Sequence, residues 1–563
     1  MTANLRVTLW VLLGMAAVLN YVAWMRDYPP RLATPDATRS APAVPLGSSA
    51  PTVAPSASGT PSTAGAVAAT GPVAAAVSGL GGAVGSAAAA ASVQVRTDVL
   101  AAEVSLEGGA LTQADLLAYP EAKNTPNKPV RLLTSDPAGL FVVQGGLAGT
   151  PGEAAPTHLA LYSSAARSLT LAPQQDTLVL PLIWSDGHGV TVTKTFTFHR
   201  GRYEVDVSYS VENASGTPWS FAPYVQLLRV NQPVAHSYFN PSTYAFKGPA
   251  IDDGTRFQKF DITKNPMLDE PVRGGYLAAL QHDFVVAVLP QPSATYQYQL
   301  LVQGIEYELK GTGATQQVLP GGRGAASEVL FIGPKLHAAL AALDPRLPLV
   351  TDYGYLRLIA EPLYQVLNYA HQLVGNWGFA IIIVTALLKL LFYPLAEASG
   401  KSMAKMKSLA PRLTQLRETF KDDKEKLNRA MMEMYQREKI NPLAGCLPML
   451  IQVPVFLAFY WVLRDSVEIR QAPFVFWITD LSSKDPLFVL PAIMAAAMFA
   501  QFRLTPQTGD PTQQKVMMFM PLIMSGTFAF FPAGLVLYWV TNTLLSILQQ
   551  WNINRRLEAS TKK

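Results

Sequence analysis

Residues 377–395 read WGFAIIIVTALLKLLFYPL, a nineteen-residue run with one charge, Lys389, and one aliphatic hydroxyl, Thr385. As a helix rising about 1.5 Å per residue it reaches roughly 28 Å, close to the thickness of a bilayer's hydrocarbon core. An ammonium group inside such a span is costly and ordinarily faces a protein interior or a wet cavity. Position alone leaves two readings. Pro394 follows Lys389 by five residues, about 8 Å along the helix, so the side chain is within partial reach of the interface by snorkelling. Thr385, at i−4, puts a second polar group on the same face and favours a cavity.

Five further apolar segments surround this one, at 7–25, 447–463, 487–502, 516–531 and 534–548. The last three reach only about 24 Å, so they must lengthen into their flanks or thin the surrounding bilayer. Inside the final segment Tyr538, Thr541, Asn542 and Ser546 form a polar stripe, and Gln452 interrupts the segment at 447–463. Polar residues on three helices are the walls of one hydrophilic cavity or, residue by residue, glue between helices.

Lysine and arginine set the orientation. Residues 397–446 carry eleven of them against seven acidic residues, whereas only Arg464, Arg470 and Lys484 lie between the third and fourth spans. The positive-inside rule puts 397–446 and the tail containing Arg555 and Arg556 in the cytoplasm. Counting back places both termini inside and one large domain outside. Within 397–446, residues 402–420 and 424–437 read as two helices about a charged turn, the second stopping before Asn441-Pro442. This basic hairpin suits ribosomal RNA or lipid head groups, or is a solvated charged face. Twelve of the sixteen methionines follow residue 400, among them Met403, Met406, Met431 and Met434; flexible thioethers suit a surface that holds varied apolar sequences, and also ordinary packing. Leu356, Ile359, Leu363, Val366, Leu367, Ala370 and Leu373 repeat at helical spacing, an amphipathic helix lying along the interface or packed on the outer domain.

Toward the N-terminus the chain changes character twice. From Ser40 to Val95 there is no charged residue and little besides Ala, Pro, Ser, Gly, Thr and Val, a flexible tether. Beyond Val93 the pattern has period two: Val190, Val192, Phe196 and Phe198, then Tyr203, Val205, Val207, Tyr209 and Val211, across a turn containing Gly201. That is a hairpin, and with strand-like runs at 284–289, 295–302 and 328–332 it predicts one large β-sandwich. The whole chain has 563 residues, 49% hydrophobic, mean hydropathy +0.19 and 15% charged, against about 25% charged in soluble proteins. A net charge of +5 does not suggest a DNA-binding protein, and one cysteine, Cys446, excludes internal disulfides and a cysteine-based zinc site. Walker A, nucleophile-elbow and HExxH motifs are missing, and the spans contain no acidic residue for a proton relay.

Several motifs carry a family likeness: Gly375-Asn376-Trp377-Gly378-Phe379-Ala380-Ile381, Tyr393-Pro394-Leu395, Ser402-Met403-Ala404-Lys405-Met406, Asn441-Pro442-Leu443-Ala444-Gly445-Cys446, and Phe531-Pro532-Ala533-Gly534-Leu535-Val536-Leu537-Tyr538-Trp539. In this order they resemble the YidC/Oxa family of membrane protein insertases over the C-terminal 200 residues, and more loosely, through Gly274-Gly275-Tyr276, over the outer domain. The resemblance implies a polytopic α-helical membrane protein of the bacterial inner membrane. It would have six transmembrane helices, five forming the insertase core, plus a periplasmic all-β supersandwich domain similar to mutarotase-like folds. The divisions expected are an anchor at 1–26, a linker at 27–92, the β-domain at 93–343, an interfacial helix at 344–375, the core at 376–554 with a hairpin at 397–440, and a basic tail at 555–563.

The implied activity is insertion and folding of inner-membrane proteins, alone or with the Sec translocon, through a groove open to cytoplasm and lipid. Groove residues would be Lys389, Thr385, Gln452, Tyr538, Trp539 and Asn542; hairpin residues Met403, Lys405, Met406, Met431 and Met434. Lys389 stands where the family usually carries Arg, so a bidentate fork is replaced by a point charge. The partners implied are nascent membrane proteins, the Sec translocon, the ribosome and the lipid bilayer, with no cofactor, no metal and no enzymatic step. Two other classes are weighed. A membrane-anchored carbohydrate-binding or -processing protein would use His188, His199 or Glu204, and a channel or transporter would need a continuous pore or internal repeats, which the sequence lacks.

Overall fold

The computed structural model describes residues 91–233, 243, 245–351, 353–420, 423–438, 447–504 and 511–561. The expected anchor at 7–25, the linker up to residue 90 and the motif at 441–446 lie outside the described residues, as do the side chains of Met403, Lys405 and Met406. The described chain divides into two compact units, one of 91–357 with 461–471 and one of 358–460 with 472–561.

The first unit is the predicted β-sandwich. Among the described residues, nineteen strands between Ser92 and Pro334 form sheets of eleven and eight strands. The hairpin read from the sequence is present, Val190–His199 pairing antiparallel with Glu204–Asn213 so that Phe198 faces Val205 and Val190 faces Asn213. Its alternation follows from the pleat: Val192, Phe196, Val205 and Val207 are buried, and the alternating Thr193, Thr195, Thr197 and Asp206 are not. These side chains meet Phe221, Val225 and Leu227 of the other sheet in one continuous core.

One inward position breaks the apolar pattern. Lys194, between Val192 and Phe196, is only 2% exposed. Its Nζ donates to the carbonyls of Gly109 (2.8 Å), Gly145 (2.8 Å) and Gly108 (3.2 Å). Gly108 and Gly109 hold φ of 70° and 55°, a left-handed turn that glycine adopts without strain. Glu328, inward on Arg323–Pro334, is the buried counter-charge. Burial pushes the Lys194 ammonium down, and Glu328 pulls it partly back. Burial pushes the Glu328 carboxyl up, against the pull of Lys194.

A second, partly buried cation lies where residues 461–471 meet the strands of the same unit. His282 Nδ1 is 2.7 Å from Asp283 and Nε2 is 3.5 Å from Asp465, while Arg470 Nε is 3.3 Å from Asp283. Burial opposes the imidazolium charge, but the Asp283 and Asp465 carboxylates outweigh it and raise His282 to about 9.

The second unit is helical. We number its helices α1 Arg357–Val374, α2 Trp377–Leu391, α3 Tyr393–Ser408, α4 Ala410–Thr419, α5 Lys424–Arg437, α6 Leu447–Asp465, α7 Val489–Leu504, α8 Pro511–Phe528 and α9 Ala533–Thr561. Three differ from the sequence reading. The run at 377–395 is broken: α2 ends at Leu391, Phe392 caps it, and α3 leaves at 56°. Pro394, lacking an N–H, falls in the first turn of α3, where none is needed. The first hairpin helix, read as 402–420, is two pieces, α3 and α4, divided at Leu409. In α1 the apolar residues cover two faces: Leu363 and Leu367 are buried, whereas Val366 and Leu373 are exposed in line with Leu358, Pro362 and Tyr369.

Among the described residues no single helix is long and apolar enough to cross a membrane; the bent pair Trp377–Leu391 with Tyr393–Ser402 passes that test together. The final helix is the longest among the described residues, at 29 residues. It holds no Gly or Pro after Gly534 and continues into the expected basic tail as far as Thr561.

Candidate functional site

Three helices each turn one face toward a shared cavity. From α2 and its cap come Thr385, Leu388, Lys389 and Phe392, spaced i, i+3, i+4, i+7; α6 adds Gln452 and Val455; α9 adds Tyr538, Asn542 and Gln549. Leu395 and Ala396, beyond the bend, complete the lining. The empty space amounts to ≈ 540 Å³, part of it open to the surroundings.

The polar groups are linked across the helices. Lys389 Nζ donates to Ser546 Oγ (2.8 Å), which donates to the carbonyl of Asn542 (2.7 Å). Gln452 Nε2 donates to Asn542 Oδ1 (2.9 Å), joining α6 to α9. Thr385 Oγ1 donates to the Ile381 carbonyl of its own helix (2.6 Å). Tyr538 is buried between Phe456 and Phe459, with ring centroids at 6.0 and 4.7 Å. The break at Phe392 matters here: it places Lys389 in the last turn of α2, where unpaired carbonyls favour a cation. No carboxylate pairs with Lys389 among the described residues. Its hydrogen-bond partner there is one neutral hydroxyl, that of Ser546.

The structure thus gathers Lys389, Thr385, Gln452, Tyr538 and Asn542 around one space. It does not bring Trp539 there: that ring packs on Phe456 (4.7 Å) and Phe528 (5.2 Å). Thr541, read as part of the stripe, is buried outside the lining, and no described methionine lines the cavity. Gln549 was missed. It continues the 538, 542, 546 rhythm by three residues, and its Nε2 is buried without a partner; following the stripe one turn past the apolar run would have found it. In the hairpin, Met431 and Met434 are half-buried on α5, and Arg412 ties α4 to Glu438 at 3.0 Å. The carbohydrate-site candidates are each engaged locally: His188 with the Asp186 carbonyl (2.9 Å), His199 with Asp206 (2.7 Å), Glu204 with Arg202.

The outside of the helical unit is apolar, with Leu387, Leu390, Leu391, Val453, Leu522 and Leu548 all exposed. So much exposed hydrocarbon is a liability in water and a match for lipid. An apolar shell around a chamber that holds a cation and several uncharged polar groups is the construction of a membrane-embedded protein. The comparisons with known proteins narrow that class. Residues 92–366 match the YidC periplasmic domain, and residues 369–561 match the 60Kd inner membrane protein family. A membrane protein insertase YidC of Thioalkalivibrio sulfidiphilus (strain HL-EbGR7) is 45% identical over 84% of this chain and 86% of its own. That of Pseudomonas putida (strain F1) is 46% identical over 84% and 85%. The chain belongs to the YidC family of membrane protein insertases. Among solved structures, an active YidC insertase with its first transmembrane domain resolved covers 82% of this chain and 92% of that one, at 19% identity and TM-score 0.38. That score is too low to bear on the fold, so the assignment stands on the sequence relatives.

Proposed function

We propose that this protein inserts segments of nascent membrane proteins into the bacterial inner membrane through the cavity around Lys389. Insertion changes no covalent bond, and the relatives bear the name of an insertase. The observation that carries the reading is a lysine inside an apolar-coated unit, hydrogen-bonded to the neutral Ser546 hydroxyl. Such a cation has electrostatic attraction left over for a visiting group. An incoming polar tail would exchange water for Gln452, Asn542, Tyr538 and Thr385, and acidic residues in it would be drawn to Lys389. The apolar segment would then leave into lipid, driven by hydrophobic transfer.

The topology belongs to the same proposal: six spans, both termini cytoplasmic, the β-domain periplasmic, and domain divisions as set out from the sequence. Eleven basic residues in 397–446 support the orientation. The short helix α7, 16 residues, or about 24 Å, supports a locally thinned bilayer and a shorter path for the tail. Cooperation with the Sec translocon, and ribosome or lipid contact by the basic hairpin, are carried by family likeness and charge.

Site-specific photo-crosslinking to a ribosome-stalled membrane-protein chain tests the site. A crosslinker at Asn542, on the cavity, is expected to capture the nascent chain strongly, and one at Leu544, on the exposed side of the same helix, weakly. Equal capture at both positions would overturn the cavity as the path.

A further inference from the structure

Residues 472–488 of the helical unit form an irregular connection that is nonetheless fixed in place. Its backbone folds on itself through Phe474 N–H to the Ile478 carbonyl (2.9 Å) and Leu481 N–H to the Ala472 carbonyl (2.9 Å). Asp485, 1% exposed, accepts from Trp477 Nε1 (2.9 Å) and from the N–H groups of Leu487 (3.0 Å) and Leu490 (2.7 Å). Asn376 Nδ2 donates to the Phe474 carbonyl (3.1 Å), and Gly534 N–H to that of Leu481 (2.9 Å). The Phe474 ring fills the space at Gly378, where a Cβ would lie 2.0 Å away.

Held this firmly, the connection still turns apolar side chains outward at an energetic cost. Phe476 has φ 54° and is 88% exposed; Phe488 has φ 55° and is 44% exposed; Leu487 between helix and loop is 61% exposed. Left-handed backbone is strained for a bulky residue, and glycine or asparagine would relieve it. The Phe476 ring stacks on its neighbour Trp477 (6.0 Å between centroids) and is otherwise left out of the core. The exposed side of α7 explains where the ring goes. Phe488 begins a stripe that runs on through Ala492, Ile493, Ala496 and Phe499, all exposed and all apolar. Whatever medium bathes that stripe also bathes its upper end, and aromatic rings concentrate at the membrane–water boundary.

We propose that Phe476, with Leu487 and Phe488, is a surface anchor that seats in the interfacial layer of the outer leaflet and fixes the depth of α7. The proposal rests on the reading that α7 spans the membrane. Anchoring a short helix from its outer end would keep the bilayer thinned beside the cavity.

The chain's single cysteine, Cys446, makes a labelling test direct. In a Cys446→Ser background, a nitroxide is placed by Phe476→Cys, Ile493→Cys or Lys484→Cys in the full chain, reconstituted in phosphatidylcholine/phosphatidylglycerol vesicles. Power saturation with oxygen, which enters lipid, and a nickel chelate, which stays in water, reads the depth. The label at 476 should favour oxygen several-fold over the exposed water-side control at 484 and less than the stripe control at 493. Nickel accessibility equal to 484 would overturn the anchor, as would shielding from both reagents, which marks contact with protein. If 493 itself is open to nickel, the span reading fails and takes the anchor with it. Phe476→Trp gives an independent check that keeps an aromatic ring: brominated lipids should quench its added fluorescence, and absence of quenching overturns the proposal.

Discussion

Lys194 in the β unit and Lys389 in the helical unit are both withdrawn from bulk water, and their surroundings differ in one respect. Lys194 is saturated: three backbone carbonyls take its protons and Glu328 supplies the counter-charge. Lys389 has the Ser546 hydroxyl and an open cavity. A buried charge whose bonds are all met inside the fold holds that fold together. One whose bonds are incompletely met is available to a ligand, because the cost of burying it is recovered only when a partner arrives.

The largest effect that would break this comparison is on Lys194. Lys194→Met leaves Glu328 and three carbonyls without their donor and should destabilise the β unit by about 3–5 kcal/mol, read as a lower unfolding midpoint of that unit in the full chain. The double change with Glu328→Gln should recover part of the loss. A neutral outcome for Lys194→Met would mean that saturation is not what the lysine provides.

His282 sharpens the point, since it is a cation flanked by two carboxylates. Its folded-state value of about 9 lies above the ordinary 6.5. Its contribution, on the order of 3 kcal/mol, is therefore complete below pH 6.5 and lost as pH rises through 9. Asp283, held low despite burial by His282 and Arg470, gives the opposite sign: its share is lost only as pH falls below about 4. The unfolding midpoint of the β unit should decline between pH 7 and 9.5, and His282→Gln should flatten that slope; an unchanged slope would remove His282 from the account.

At the unsaturated site the expected effects are on insertion rather than stability. Lys389→Glu should reduce insertion of acidic-tailed substrates on the order of tenfold or more, and of neutral-tailed ones far less. Lys389→Arg should be mild. Equal losses for both tails would take the electrostatic role away from Lys389. Ser546→Ala, which removes a neutral partner worth about 1 kcal/mol, should change insertion by less than about threefold, since other acceptors line the same space.

The β hairpin was legible because period two exposes its own geometry: Val192, Phe196, Val205 and Val207 fall on one side whatever they pack against. Lys194 was legible too, standing at an inward position of that alternation, yet it goes unseen when only the apolar residues are counted. The polar stripe at Tyr538 and Asn542 and the pairing of Thr385 with Lys389 followed from helical spacing. Trp539 did not belong with them, because one residue along a helix is a turn of about 100° and moves the ring onto Phe456 and Phe528. The bend at Phe392 was written in Pro394, but an apolar run read as a single span conceals it.

Composition, periodicity and charge by themselves determined that this chain has an apolar helical part, a β-sandwich and a basic segment between apolar runs, because burial and pleat impose their periods locally. Which polar residues share a space was decided only by the tertiary structure. Gln452 meets Asn542, and Lys389 meets Ser546, across ninety and more residues of chain. No local period encodes those meetings. They arise where three helices pack, and packing is settled by shape across the whole unit.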